Sequence, residues 1–93
     1  MLRFKDSDAF VFWESQGRIC RPYTHFANVL MRKLRMMDAA RELSDLLAPP
    51  GNHLEVLHGD REGQHSIRIN NQFRICFVWT ADGPQDIEIV DYH

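Results

Sequence analysis

The sequence has no apolar run approaching the roughly 20 residues that a membrane span needs, so no membrane association is expected. It has only two cysteines, Cys20 and Cys76, far apart and outside any C-x-x-C. That spacing suggests no disulfide framework, and both read as small apolar residues of a reducing, cytoplasmic compartment. The chain has no H-E-x-x-H, no His or Cys pair at structural-zinc spacing, no P-loop, no G-x-G-x-x-G and no G-x-S-x-G. His53, His58 and His65 invite a metal reading, but their spacing fits no metal motif. Neither a metal nor a cofactor is expected. A leader peptide is not expected either, because Arg3, Lys5, Asp6 and Asp8 interrupt the first residues and no apolar stretch follows. Repeats, low-complexity tracts and Pro/Ser-rich linkers are absent.

What remains is a chain of 93 residues, 44% hydrophobic and 26% charged, the balance of one folded domain over residues 1–93. The net charge is −2, which excludes the global basic field of a strong non-specific nucleic-acid binder. The charge is unevenly divided. Residues 1–50 carry eight Lys and Arg against six Asp and Glu, whereas residues 51–93 carry three against seven. The three arginines of the acidic half are Arg61, Arg68 and Arg74. If the protein handles nucleic acid, it does so with a few placed cations.

The segment Pro49-Pro50-Gly51-Asn52 divides a helical half from a strand half. Ser7 is a candidate N-cap for a first helix through about Gln16, with Gly17 ending it and Phe10 and Trp13 on one face. Pro22 and Thr24 open a longer second helix, on which Phe26, Leu30, Leu34 and Met37 form a core stripe. Arg32, Lys33 and Arg35 lie on its other sides and read as a solvated face. His25 reads as a helix-surface residue. Asp38 is a candidate cap for a further short helix through Leu46. Residues 1–5 suit a short strand. Period-two patterning then predicts strands at Leu54–Leu57, Ser66–Asn70, Phe73–Thr80 and Asp86–Tyr92, with a polar turn at His58–Gly63 and a loop at Ala81–Gln85. Short connections imply antiparallel neighbours. The expected class is α+β: two to three N-terminal helices on one face of a small, mainly antiparallel sheet.

Matching apolar faces sets a register. Pairing Ile69 with Phe73 puts Ile67 opposite Ile75 and Arg68 opposite Arg74. Pairing Trp79 with Ile87 puts Phe77 opposite Ile89 and Arg74 opposite Tyr92. This register aligns Arg68, Arg74 and Tyr92 in a row away from the apolar face. Like charges directly opposite each other are destabilising, so the two arginines call for an anion. That anion is either Glu88 or another carboxylate of this half, or a bound phosphate, whose oxygens match the arginine fork. The closing Asp91-Tyr92-His93 follows an apolar strand, which makes His93 an acid/base candidate beside the arginines and the tyrosine.

The stretch Leu54–Arg68 with its G-D-R-E-G turn, the strand Phe73-Arg74-Ile75-Cys76-Phe77-Val78-Trp79 and the closing Ile89-Val90-Asp91-Tyr92-His93 resemble HigB-type toxins of the RelE superfamily. The match is specific over the second half, and the first half fits in length and helix order. The resemblance implies a toxin of a type II toxin–antitoxin system with the RelE-like fold. It also implies an mRNA endoribonuclease that cuts in the A site of the 70S ribosome without a metal. A HigA-like helix-turn-helix antitoxin would neutralise it, and the pair would reach operator DNA only through the antitoxin. The resemblance carries Arg74, Asp91, Tyr92 and His93 over as active-site positions. Some HigB members have a histidine where Glu55 stands and a lysine where His58 stands, and loss of that lysine weakens phosphate affinity.

RNA cleavage by the 2′-OH needs a base, cations for the phosphorane charge and an acid for the leaving 5′-oxygen. Arg74, Arg68 and Arg61 are the phosphate or RNA candidates. His93, Tyr92 or Glu55 would act as base or acid, with His58 assisting, and Asp91 would orient His93 or brace Arg74. Two other readings stand beside this one. The first is a ParE-like toxin that binds DNA gyrase and cuts no RNA. The second is a weakly active toxin that serves mainly as an antitoxin-bound co-repressor.

Overall fold

A computed structural model describes residues 2–92 of the chain. Helix α1 spans Ser7–Glu14 and helix α2 spans Ala27–Ala39. Four strands follow: β1 Glu55–Val56, β2 His65–Arg68, β3 Phe73–Thr80 and β4 Gly83–Asp91. They form one antiparallel sheet in the order β1-β2-β3-β4. The architecture is the expected α+β arrangement, with both helices against one face of the sheet. Leu30, Leu34 and Met37 of α2 and Phe12 of α1 are fully buried with Ile67, Ile75, Phe77 and Ile87 of the sheet. Burial of this continuous apolar layer is the main driving force of the fold. Phe26 packs on Phe73 with ring centroids 4.8 Å apart, and Phe12 meets Tyr23 edge-on at 5.9 Å. Among the described residues no helix is long and apolar enough to cross a membrane.

The helix boundaries differ from the sequence expectation. The N-cap of α1 is Asp6, whose Oδ1 accepts from the Asp8 and Ala9 amides; Ser7 is the first helical residue, and the helix ends at Glu14. Asp6 reaches further, because its Oδ2 accepts from the Tyr23 hydroxyl at 3.0 Å and the Ile89 amide at 3.4 Å. A carboxylate accepts several bonds at once, so Asp6 suits this shared role better than a serine. Thr24–Phe26 is a 3₁₀ turn leading into α2. Asp38 lies inside α2, and the segment beyond it is a 3₁₀ turn at Leu43–Leu47, closed by reciprocal bonds between Glu42 and Asp45. Arg32 and Arg35 are exposed, as a solvated face requires, but Lys33 is buried and donates to Asn52. The N-terminal segment makes a single parallel bridge, Phe4 to Ile87, in place of a full strand.

The β2–β3 register is the expected one, with Ile67 opposite Ile75 and Arg68 opposite Arg74. The β3–β4 register is not. Thr80 pairs with Gly83 across a two-residue turn, and Ile75, not Phe77, faces Ile89. The tight turn shifts β4 by three residues relative to the apolar match. A bulge between Cys76 and Val78, where Asp86 adopts φ +51°, returns one of them. The net shift beyond the bulge is two, and an even shift keeps the side chains of Ile87 to Asp91 on their expected faces. Arg74 therefore lies opposite Val90, and Tyr92 falls beyond it, its amide bonded to the Gln72 carbonyl at 2.5 Å.

Replacing Asp6 with Ala removes the α1 cap and leaves Tyr23 without its acceptor, at a cost of about 2 kcal/mol in urea unfolding. Burial and, secondarily, Asp6 hold the Tyr23 phenol far above its ordinary range. Its stabilisation is then complete below about pH 10, where unfolded tyrosine stays protonated, and is lost as pH rises further. Tyr23→Phe should remove that part of the alkaline loss, as read from unfolding midpoints between pH 8 and 11.

Candidate functional site on the open face of the sheet

Opposite the helices, the pleat brings Glu55, Ser66, Cys76 and Glu88 into one cross-strand row and Arg68, Arg74 and Val90 into the next. Arg74 is only 9% exposed. A guanidinium withdrawn from water needs acceptors, and Arg74 has a complete set on one side. Its Nε donates to Ser66 Oγ at 2.7 Å, and its Nη2 donates to the His53 carbonyl at 2.5 Å and more weakly to the Ser66 carbonyl at 3.4 Å. The exposed Glu55 carboxylate stands 3.5 Å from the same Nη2. No group among the described residues hydrogen-bonds Nη1. Arg74 is thus a cation clamped along one edge of its fork and open on the other.

Arg61 arrives from a different element. The His58–Gly63 turn holds a short 3₁₀ segment at Gly59–Arg61, with Gly59 at φ +66° and Gly63 at φ +88°. Only glycine adopts such angles without a Cβ penalty, so the G-D-R-E-G spacing is a backbone requirement that aims Arg61 over the sheet. Its Nη1 donates to Glu88 Oε1 at 2.5 Å and to Gln64 Oε1 at 3.1 Å. Glu88 also has Lys5 Nζ at 4.0 Å. Tyr92 lies near Cys76 on this face, within electrostatic reach of Arg61 and Arg74. Burial and then Cys76 push the Tyr92 phenol above its usual range, against the opposing pull of Arg61 and Arg74. Burial likewise pushes the Cys76 thiol up, so the pair stays protonated at neutral pH.

The candidate residues are not all gathered here. Arg68 is turned to the β2–β3 connection, where Nε donates to the Asn70 carbonyl at 3.2 Å and Nη2 to Asn71 Oδ1. The Arg68–Arg74 row therefore shares no single anion: Glu55 faces Arg74, Glu88 takes Arg61, and Arg68 uses turn oxygens. Tyr92 reaches the cluster from beyond the row and not from a position opposite Arg74. Asp91 pairs with Phe73 in the sheet and accepts from Gln72 Nε2 at 3.1 Å. His58 is exposed in the turn, 3.9 Å from Glu62. His93 lies outside the described residues. Ser66, Cys76 and the His53 carbonyl were not picked out as site residues from sequence. The register signal existed for Ser66 and Cys76, since both share the face of Arg74, but nothing local announces that a histidine carbonyl would serve a distant arginine. Among the described residues no group of three His, Cys, Asp or Glu is placed to hold a metal ion.

The chain as a whole is similar to known proteins. A family described as the RelE-like toxin of type II toxin–antitoxin system HigB matches residues 2–93. Toxin HigB-1 of Vibrio cholerae serotype O1 is 44% identical over 82 residues, covering 88% of this chain and 85% of that protein. An uncharacterized protein of Haemophilus influenzae is 34% identical over 76 residues, covering 82% and 75%. Among solved structures, the YoeB-YefM complex from Staphylococcus aureus contains a chain of similar fold. The TM-score is 0.64 at 17% identity, over 100% of this chain and 95% of that one.

Ser66→Ala leaves the Arg74 Nε–H buried without its partner. The expected loss is about 1–3 kcal/mol in urea unfolding, with the far-UV spectrum unchanged.

Proposed function

The chain belongs to the HigB-like family of RelE-like toxins of type II toxin–antitoxin systems, and on that footing we propose that it is a ribosome-dependent mRNA endoribonuclease. In this reading it cuts in the A site, halts translation, and is neutralised by a HigA-like helix-turn-helix antitoxin through which it also reaches operator DNA. The observation that carries the proposal is Arg74, a guanidinium fixed on one edge and open on the other, with a carboxylate and a protonated tyrosine on the same face.

The chemistry is transesterification within RNA. The 2′-OH loses its proton and attacks the adjacent phosphorus. The bond to the 5′-oxygen breaks, leaving a 2′,3′-cyclic phosphate and a 5′-OH. Arg74 Nη1 binds a non-bridging phosphate oxygen and stabilises charge that grows in the transition state. Arg61 adds a second cation once phosphate competes with Glu88. Tyr92, held protonated, suits the acid that serves the leaving oxygen. Glu55, exposed beside Arg74, suits the base, a role it shares with His93. Asp91 orients His93, and His58 assists from the turn. Arg68, bound at the β2–β3 connection, contacts flanking RNA and not the scissile phosphate.

One observation favours the weakly active co-repressor as a second reading. Each of the two central arginines already faces a carboxylate, Glu55 at 3.5 Å and Glu88 at 2.5 Å, and these compete with phosphate. Both readings are separated by mapping 5′ ends of a reporter message in a translation reaction with purified protein, with and without ribosomes, and with EDTA in the ribosome-free arm. Cuts within codons on translating ribosomes are expected, reduced at least about 100-fold in Arg74→Ala and in His93→Ala. Full cleavage by both variants would overturn the assignment. Growth arrest without cuts would instead favour a gyrase-type binder, and neither cuts nor arrest the co-repressor.

A further inference from the structure

Lys33 is an oddity on α2. It is 5% exposed, and the side chain offered to it is that of Asn52, itself fully buried. Burial, with Arg32 and Arg68 nearby, lowers its pKa. A long cationic side chain in such a place is costly and needs a reason. The Asn52 amide supplies part of one. Its Oδ1 accepts from Lys33 Nζ, and its Nδ2 donates to the Leu46 carbonyl at 3.2 Å and the Ala48 carbonyl at 3.3 Å. Both ends of the amide are thereby used, and the turn that follows the helical half is tied to α2.

The next residue is His53. It holds φ +45° and ψ +56°, a left-handed conformation uncommon for a residue with a Cβ. Its carbonyl accepts from Arg74 Nη2 at 2.5 Å. An unfavourable backbone conformation persists only where its surroundings over-determine it. The surroundings are the Asn52 bonds, the His53 amide to the Pro50 carbonyl at 3.1 Å, and Lys33 behind them.

We infer that Lys33 and Asn52 are positioning residues for Arg74: through the buried amide they hold the His53 carbonyl where it locks Nη2 and aims Nη1 at the open face. Neither touches substrate. The inference rests on the nuclease reading for its catalytic consequence, but the ordering of Arg74 is measurable without any RNA.

The test compares wild type, Lys33→Met and Lys33→Arg. Met keeps the apolar stem and removes the donor; Arg keeps a donor and the charge. The first readout is solvent exchange of the Arg74 Nε–H in ¹⁵N NMR spectra. Lys33→Met should accelerate it by at least about fivefold while the β3 amides keep their protection. The second is ribosome-dependent cleavage: kcat falls about tenfold or more with KM for the programmed ribosome unchanged, the mark of lost orientation and not lost binding. Lys33→Arg should restore both. If Lys33→Met does not fold, Lys33→Gln is judged by the same criteria. Unchanged Arg74 exchange in a folded variant overturns the inference. A response of Arg74 exchange in a protein that cuts no RNA overturns the nuclease reading and leaves the positioning intact.

Discussion

A guanidinium taken out of water has to find acceptors or it will not stay there, and the second half of this molecule is arranged around meeting that requirement at Arg74. Three separate segments contribute. The β2–β3 pairing brings Ser66 to Nε, β1 brings Glu55, and the turn after Asn52 brings a backbone carbonyl. Because each acceptor belongs to a different element, the arginine reports whether all three are in register. Removing one partner from a buried charge costs more than an isolated surface pair ever returns.

The remaining charges on this face are organised to prevent two cations from meeting. Arg68 and Arg74 are cross-strand neighbours, an unfavourable pairing in itself. Asn70 and Asn71 draw Arg68 outward, so the pair is separated by competing oxygens and not by distance along the chain. Glu88, between Arg61 and Lys5, ties the turn to the N-terminal segment across the sheet. This face of the sheet thus interleaves Arg61, Arg74 and Lys5 with Glu55 and Glu88.

The helical half acts on this face at a distance. Asp6 caps α1, bonds Tyr23 and receives the Ile89 amide, which ties the first helix to the last strand. Lys33 and Asn52 tie α2 to the turn that serves Arg74. The apolar layer between helices and sheet holds the two halves together without specifying direction, since hydrophobic burial is non-directional. These few polar links specify it.

Much of this was legible in the residue pattern. Period-two apolar faces and short turns determined the antiparallel sheet, the pairing of Ile67 with Ile75, and the common face of Arg68, Arg74 and Tyr92. These follow from side-chain alternation, a local property. The G-D-R-E-G turn and the 3.6-residue stripe of α2 are local for the same reason. The β3–β4 register was not legible. A two-residue turn and a bulge at Asp86 differ from the apolar match by an even shift, to which face matching is blind. Nor was the burial of Lys33, the bonding of Asp6 to the Tyr23 hydroxyl and the Ile89 amide, or the service of the His53 carbonyl to Arg74. Each depends on a partner 17 to 83 residues away. Sequence alone therefore determined which residues share a face. Only the tertiary structure decided which of them meet, because contacts between distant segments are set by how the elements pack and not by any periodicity within them.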